Sequence, residues 1–490
     1  MPDPKVSSVN PGYGPEFEVA DFPDPPRDLN FSKLMAVLGP AVIALGGTIG
    51  GGEWLIGPSL FVQYGLALLW ITTVSSVLQV FLNLEMCRYS VYTGEPITVG
   101  FMRLAPGRAF WGIVFTVAGF FERALPGWAL GTATAIAALQ LGKIPGGDDK
   151  GTVLFWGYIV FASCCLVICL GKTIERTLEW ANWIMMIVVL GGLFLLDLYV
   201  VPASVWLDGL KGFFSFGYVP QGVDLLLLGA LVGYSAYGGF GNNAITNWYR
   251  DKGYGMGGKV GYIPAAIGGK EVHVSHVGKI APQTPENLDR FKGWWKLLNI
   301  DQWVVFYGGA MLGMFLPGIL YVAMLPAGQK LPSWGIAASS ASGLVQQLGN
   351  FGWFLALFFG FWVMYSTAIS NVDLVVRQST DMLWASVAGI RQWAKADIRK
   401  VYYTLLIVFF AWGVTFVNIT LPLIIFAISA NIANFTMALS ALLTIRINRK
   451  FLPAEYRGST FREVMLILNI LFFGFFFSLF ILNRFFGLKF

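Results

Sequence analysis

Charge is scarce in this chain. Only 12% of its 490 residues are Asp, Glu, Lys or Arg, about half the share of a soluble protein. Histidine is scarcer still, with two in the whole sequence, and cysteine numbers four. So little charge excludes the two or three soluble domains that the length alone would suggest. Cys87, Cys164, Cys165 and Cys169 lie in or beside apolar runs without metal-ligand spacing, so they read as small hydrophobes. No glycine loop between a strand and a helix could cradle phosphate, and no nucleophile–base set lies at membrane depth, so the chain does not read as an enzyme. No resident cofactor is implied. Residues 1–30 are polar and proline-rich, which predicts a disordered cytoplasmic arm and not a cleavable leader.

Apolar residues fill the gap. They make up 56% of the chain, aromatics 16%, and runs near the spanning length of about 20 residues recur throughout. The fold class is therefore an all-α polytopic membrane protein with the lipid bilayer as its solvent. Eleven spans are predicted, at about 33–62, 65–86, 110–141, 152–171, 178–200, 222–249, 302–325, 351–380, 401–418, 420–445 and 463–484. If the N-terminus is cytoplasmic, the cytoplasmic segments hold most of the basic residues, among them Arg103, Arg108, Lys172, Arg176, Arg399, Lys400, Arg449 and Lys450. The outward loops hold Lys143, Lys150, Lys211 and Lys330. That asymmetry sets the expected orientation and accounts for the net charge of +6 without a nucleic-acid partner. A bacterial inner membrane is the expected location.

Residues 250–301 form the longest connection. In it, "TPENLDRFKGWWKLL" predicts a short helix capped by Thr284 with Pro285 in its first turn. Trp294 and Trp295 beside Lys292 and Lys296 suit a helix lying on the membrane surface. Both histidines, His273 and His276, fall in this loop at a spacing that allows a metal pair but more often marks a solvated loop.

The segment "ALGGTIGGGEWLIGP", residues 44–58, carries six glycines and Glu53 inside a span. Five spans later "ALVGYSAYGGFGNNAITNWYR", residues 230–250, repeats the pattern. Small residues spaced by four would serve close helix packing, whereas consecutive glycines favour unwinding, because each costs a helix interior roughly 1 kcal/mol. Interrupted spans at matching places in two halves point to inverted repeats with a binding site between them. The predicted organisation is a first repeat at 31–200, a second at 201–249 and 302–446, and an eleventh span with its tail at 447–490.

The candidate substrate site comprises Gly50, Gly51, Gly52, Glu53, Tyr234, Ser235, Tyr237, Asn242 and Asn243. A mid-membrane carboxylate costs about 3 kcal/mol or more, so Glu53 reads as a cation ligand or proton acceptor, against a paired structural acid. Glu122, Arg123 and Asp373 join Glu53 as coupling or gating candidates, with structural pairing the competing reading. Glu122 and Arg123 are neighbours in sequence and are expected to find separate partners. Glu85 with Arg88, and Asp373 with Arg377, are spaced for ion pairs. The side chains near the breaks offer oxygen and no sulfur or imidazole, which suits a hard divalent cation or an organic ammonium.

"GPAVIALGGTIGGGEWLIGPSLFVQYGLALLW" resembles the first span of the Nramp (natural resistance-associated macrophage protein) metal-ion transporters. It keeps their G-P-A at Gly39-Pro40-Ala41 and their later motif at Gln63-Tyr64-Gly65 and Leu68-Leu69-Trp70. "AIAALQLGKIP" resembles the end of that family's third span and "STAISN", residues 366–371, the polar run of its eighth. The resemblance implies a LeuT-type fold and proton-linked uptake of a divalent metal. The site departs from the pattern: Gly50-Gly51-Gly52-Glu53 replaces D-P-G-N, nothing near Ala236–Phe240 matches M-P-H, and Gly127 and Leu130 replace an acidic pair. "GGTIGGGEW" also resembles the first broken span of amino-acid transporters of the same fold class. The expected function is a secondary transporter of a small cation, through a site holding the metal as substrate at Glu53, with a proton as the coupling ion. The alternatives are a small organic solute, amino-acid-like or an ammonium, and a non-transporting sensor that works through residues 250–301.

Overall fold

The computed structural model describes residues 10–27, 30, 37–169, 174–264, 274–418 and 422–487. Among these, nine helices are long and apolar enough to cross a membrane. Two further spans are each divided into half-helices, bringing the total to the expected eleven. Span 1 consists of half-helix 1a, Pro40–Thr48, and half-helix 1b, Gly57–Tyr64, with a π-turn at Gly51–Ile56 between them. Span 6 consists of 6a, Leu225–Tyr234, and 6b, Gly239–Asp251. The interruptions fall five spans apart, as two inverted repeats of five spans require.

The polarity of the bundle is inverted relative to a soluble protein. Ile187, Leu195, Ile407 and Leu471 are exposed, while Gln79, Asn83, Asn242 and Gln302 have no accessible surface. Apolar side chains face lipid and polar ones face each other, because an unpaired polar group costs several kcal/mol in hydrocarbon. Span 2 is Leu69–Thr93, span 4 Lys150–Val167, span 5 Ile174–Val200, and spans 9, 10 and 11 are Ile398–Phe416, Pro422–Phe451 and Thr460–Phe486. Span 8, Ala341–Ser386, bends at Gly349, where φ is +60°.

Span 3 is also interrupted. Arg108–Arg123 and Gly127–Leu141 are separate helices, because Pro126 supplies no N–H to the preceding turn and Ala124 leaves the helical path. The sequence reading treats 110–141 as continuous, so this third break was missed.

Two further expectations change on the N-terminal face. The arm is not disordered over residues 10–27. Glu18–Val19 (β1) pairs in parallel with Lys279–Ile280 (β2). Phe22, 1% exposed, packs among Tyr92, Phe291 and Tyr456 at ring distances of 5.8–6.2 Å. Arg103 donates to the carbonyls of Pro11 and Pro15 at 3.0 and 2.7 Å. The buried Phe22, the half-buried Phe17 (6.3 Å from the Phe451 ring and 3.8 Å from the Arg103 guanidinium) and a proline-stiffened backbone, which loses little entropy on docking, outweigh the polar composition. The helix capped by Thr284 does form, with the threonine accepting from the Asn287 amide, but it does not lie apart on a membrane surface. It runs from Pro285 to Ile300 and passes through a π-helical stretch at Asp301–Tyr307 into span 7, Gly308–Met324. Its tryptophans face protein: Trp294 donates to the Pro23 carbonyl at 2.9 Å, and Arg88 lies 3.8 Å above Trp295. His273 lies outside the described residues.

Candidate functional site

Span 1 departs from helical geometry only at Ile49 and Gly50, less than its glycine run predicts. Gly51 and Gly52 begin the π-turn, and Glu53 sits within it. The glycines serve close approach. A Cβ on Gly52 would lie 2.0 Å from the Tyr234 carbonyl of span 6, and one on Gly50 would lie 2.1 Å from Oγ1 of Thr367. Gly51 faces Phe426 and Trp128. Thr367 of span 8 donates toward the Gly46 and Ile49 carbonyls at 3.1 and 3.2 Å, which the end of half-helix 1a leaves free. The side chain of Thr48 turns back to the Ala44 carbonyl of its own helix.

Glu53 connects the two breaks. Its carboxylate is fully buried and accepts from the Ala236 amide of span 6 at 3.2 Å and, at a long 3.5 Å, from the Gly50 amide. The interrupted stretch of span 6 runs from Ser235 to Gly238, with Ala236 at φ +72° and Gly238 at +83°. A β-carbon makes the first of these angles costly, so the break survives because its surroundings hold it.

Span 2 supplies much of that hold. Gln79 donates to the Ser235 carbonyl at 2.5 Å and accepts from the Gly238 amide at 2.8 Å, bridging the break. Ser75 donates to the Val232 carbonyl at 2.8 Å, and Thr72 meets the Ser235 hydroxyl at 3.1 Å. Asn242 donates to Gln79 at 3.1 Å and to Asn83 at 2.8 Å. Asn83 then continues the chain of contacts through Gln302 and Tyr249 to Asp301, which accepts from the Ala41 amide at the start of half-helix 1a.

Span 3 supplies the charges. Its first helix ends at Arg123, beside the break of span 6. Glu122 accepts from the Phe240 amide with both oxygens, at 2.9 and 3.0 Å, and so caps half-helix 6b. Arg123 donates to the Gly238 carbonyl at 2.6 Å and to the Tyr237 carbonyl, and contacts Asn371 Oδ1 at 3.5 Å. The two residues also pair with each other at 2.9 Å, contrary to the expectation of separate partners. Adjacency prevents contact within a helix, but this helix ends here, and both side chains are drawn to one neighbouring segment.

The candidate residues therefore divide. Tyr234 donates to the Glu122 carbonyl at 3.1 Å and Ser235 turns toward Leu231 and Thr72, so both belong to the framework. Tyr237 stacks on Trp248 at 6.1 Å and lies over Gly47, and its hydroxyl has no partner among the described residues. Among the same residues, Asn243 has no partner at either amide atom. Asn182 and Asn371, which the sequence reading did not name, flank the same region. Among the described residues, Asn182 Oδ1 lies against Gly46 without a donor, and Asn371 Nδ2 has no acceptor. Asp373 is not with them. It accepts from Arg377 at 2.9 and 3.0 Å, from Trp248 at 3.0 Å and from Tyr402 at 2.6 Å. Arg377 also pairs with Asp251, and Arg250 joins Asp251 to Asp381 at 2.6 Å each. The Glu85–Arg88 pair forms as well, at 2.8 Å. Among the described residues, no three His, Cys, Asp or Glu side chains come together as a metal cluster would need.

No protein-family model and no curated protein matches the sequence. Solved structures do. A manganese transporter of Eremococcus coleocola, crystallised with an aromatic bis-isothiourea compound, superposes with a TM-score of 0.62 at 15% identity over 99% of this chain and 92% of that one. Mhp1, a nucleobase-cation-symport-1 family transporter closed over bromovinylhydantoin, gives 0.54 at 12% identity over 97% and 96%. MhsT in complex with L-phenylalanine gives 0.50 at 14% identity over 94% and 100%. At such identities the likeness concerns architecture, and it establishes that this chain has the LeuT-type fold, with two inverted repeats and an eleventh span.

Proposed function

We propose that the protein is a secondary transporter of a small polar organic solute, amino-acid-like or an amine, bound between the breaks of spans 1 and 6. The observation that carries this reading is the mixed chemistry of the buried polar groups there. An amide nitrogen without an acceptor (Asn371 Nδ2), an unpartnered amide oxygen (Asn182 Oδ1) and a phenol (Tyr237) stand near the Glu53 carboxylate, with the Arg123 guanidinium, held by span 6 carbonyls and Glu122, as a fixed positive charge. Nitrogen donors cannot ligate a metal, and a fixed positive charge repels one. Donors and acceptors together match the ends of a polar organic molecule. Glu53 and Glu122 carry two formal negative charges against one on Arg123, and a proton or a solute ammonium would balance the difference.

A transition-metal or magnesium site would gather several oxygen ligands, whereas Glu53 is the one carboxylate at the span 1 break and each of its oxygens already faces a backbone amide. Calorimetry on the purified protein tests the choice. Manganese, magnesium and calcium are expected to give no saturable heat, while a panel of amino acids and small amines raises the unfolding midpoint for at least one member. Saturable manganese heat that disappears in Glu53→Ala would establish the cation reading instead.

A further inference from the structure

The carbonyls of Tyr237 and Gly238 lie in the interrupted stretch of span 6, where Gly238 accepts a turn bond from the Gly241 amide at 3.0 Å and keeps a second lone pair, and Tyr237 stands ahead of half-helix 6b. In transporters with broken spans, such carbonyls are where a coupling cation is held. Here the position has every feature of a cation site. Two carbonyls converge on it, the Glu122 carboxylate supplies the counter-charge, and the rings of Tyr234, Tyr237 and Trp128 lie 4.6, 5.1 and 5.8 Å from the charge they surround. The charge is the guanidinium of Arg123, 2% exposed, which reaches the carbonyls from a different span.

We propose that Arg123 is a resident cation that takes the place of a free coupling cation at the break of span 6, so that the protein needs no sodium. A guanidinium suits the position because its planar fork can serve both carbonyls and the carboxylate at once. Its charge is permanent, so the site stays filled through every conformation in which spans 3 and 6 remain packed together. The arginine thus holds the break without ordering a mobile ion on each cycle. Whatever drives transport must act elsewhere, and the surplus carboxylate charge at Glu53 and Glu122 leaves a proton as the available coupling ion. The consequence for coupling rests on the transporter reading, but occupancy of the position does not. It can therefore be tested without a substrate.

The test follows the unfolding midpoint of the detergent-purified protein in sodium chloride against choline chloride at equal ionic strength. Wild type and Arg123→Lys are expected to show no difference between the salts. Arg123→Ala is expected to unfold at lower temperature and to recover with sodium or with low concentrations of methylguanidinium, saturably and by a few degrees, the order that linkage gives at about ten times a dissociation constant. Choline, too large for the position, should not rescue it. A saturable sodium response in wild type, or an Arg123→Ala protein that folds yet ignores both small cations, overturns the proposal. If Arg123→Ala does not fold, wild type and Arg123→Lys are still compared. Sodium stabilising either one refutes the proposal, and Arg123→Gln, which keeps most of the side-chain volume without the charge, then carries the rescue test. A purely structural arginine predicts lost stability without rescue by a free cation, so the Arg123→Ala rescue separates the two roles.

Discussion

The two broken spans reach the same shape by opposite means. Span 1 is broken by what it lacks. Gly50 and Gly52 have no β-carbon, and that absence lets Thr367 and the Tyr234 carbonyl come close. Span 6 is broken by what its neighbours add. Gln79, Glu122 and Arg123 reach in from spans 2 and 3 to satisfy the amides and carbonyls that its helix abandons. Removing atoms from the neighbours should therefore damage the span 6 break more than the span 1 break, whereas added atoms should disturb both, since Gly238 and Gly239 take positive φ and have no room for a β-carbon.

The largest effect is expected from Glu122→Ala. It leaves Arg123 buried without its carboxylate and the Phe240 amide uncapped, and breaking a buried pair in this way costs about 3–5 kcal/mol. Thermal unfolding in detergent, followed by tryptophan fluorescence, should register it. Pairing Glu122→Gln with Arg123→Met should cost less than the two changes summed, because neither residue then leaves a lone charge.

Next comes Gly52→Ala, the smallest side chain that can be added. Its methyl would meet the Tyr234 carbonyl at 2.0 Å, so the spans must part. Overpacking of this kind costs about 1–3 kcal/mol or more, and loss of ligand-induced stabilisation should accompany it. Gln79→Leu removes the bridge across the span 6 break and leaves the Ser235 carbonyl and Gly238 amide in apolar surroundings, at about 1–3 kcal/mol. If Gln79→Leu proved harmless, span 2 would not be the support described above. The smallest effect belongs to Thr367→Val. This removes atoms at the glycine-built break and should cost only about 1 kcal/mol in the same unfolding measurement.

The same contrast explains what could be read in advance. Consecutive glycines and a carboxylate inside an apolar run violate membrane energetics, so the breaks and Glu53 stood out from sequence. The residues that hold the span 6 break did not. Gln79, Ser75 and Thr72 are ordinary polar residues on span 2, and only packing shows which face meets another span. Asn182 and Asn371 were overlooked for the same reason, although Asn371 closes the "STAISN" run that resembles a known pattern. Pro126 lies within the apolar run 110–141, whose composition continues past it, so the run reads as one span although the helix ends there. In the arm, polar composition concealed Phe17 and Phe22, the residues that dock it. Glu122 and Arg123 stand out in the sequence as charges inside a span. Their shared target was not foreseeable, because it depends on a helix ending at Arg123.

Uptake into liposomes carrying the purified protein tests the central claim most directly. Labelled amino acids, small amines and manganese would be offered separately to wild type and to Tyr237→Phe, a change that removes only the unpartnered hydroxyl. The expected result is accumulation of at least one organic solute by wild type, reduced severalfold in the variant, with no manganese uptake by either. Manganese accumulation without uptake of any organic solute would contradict the account.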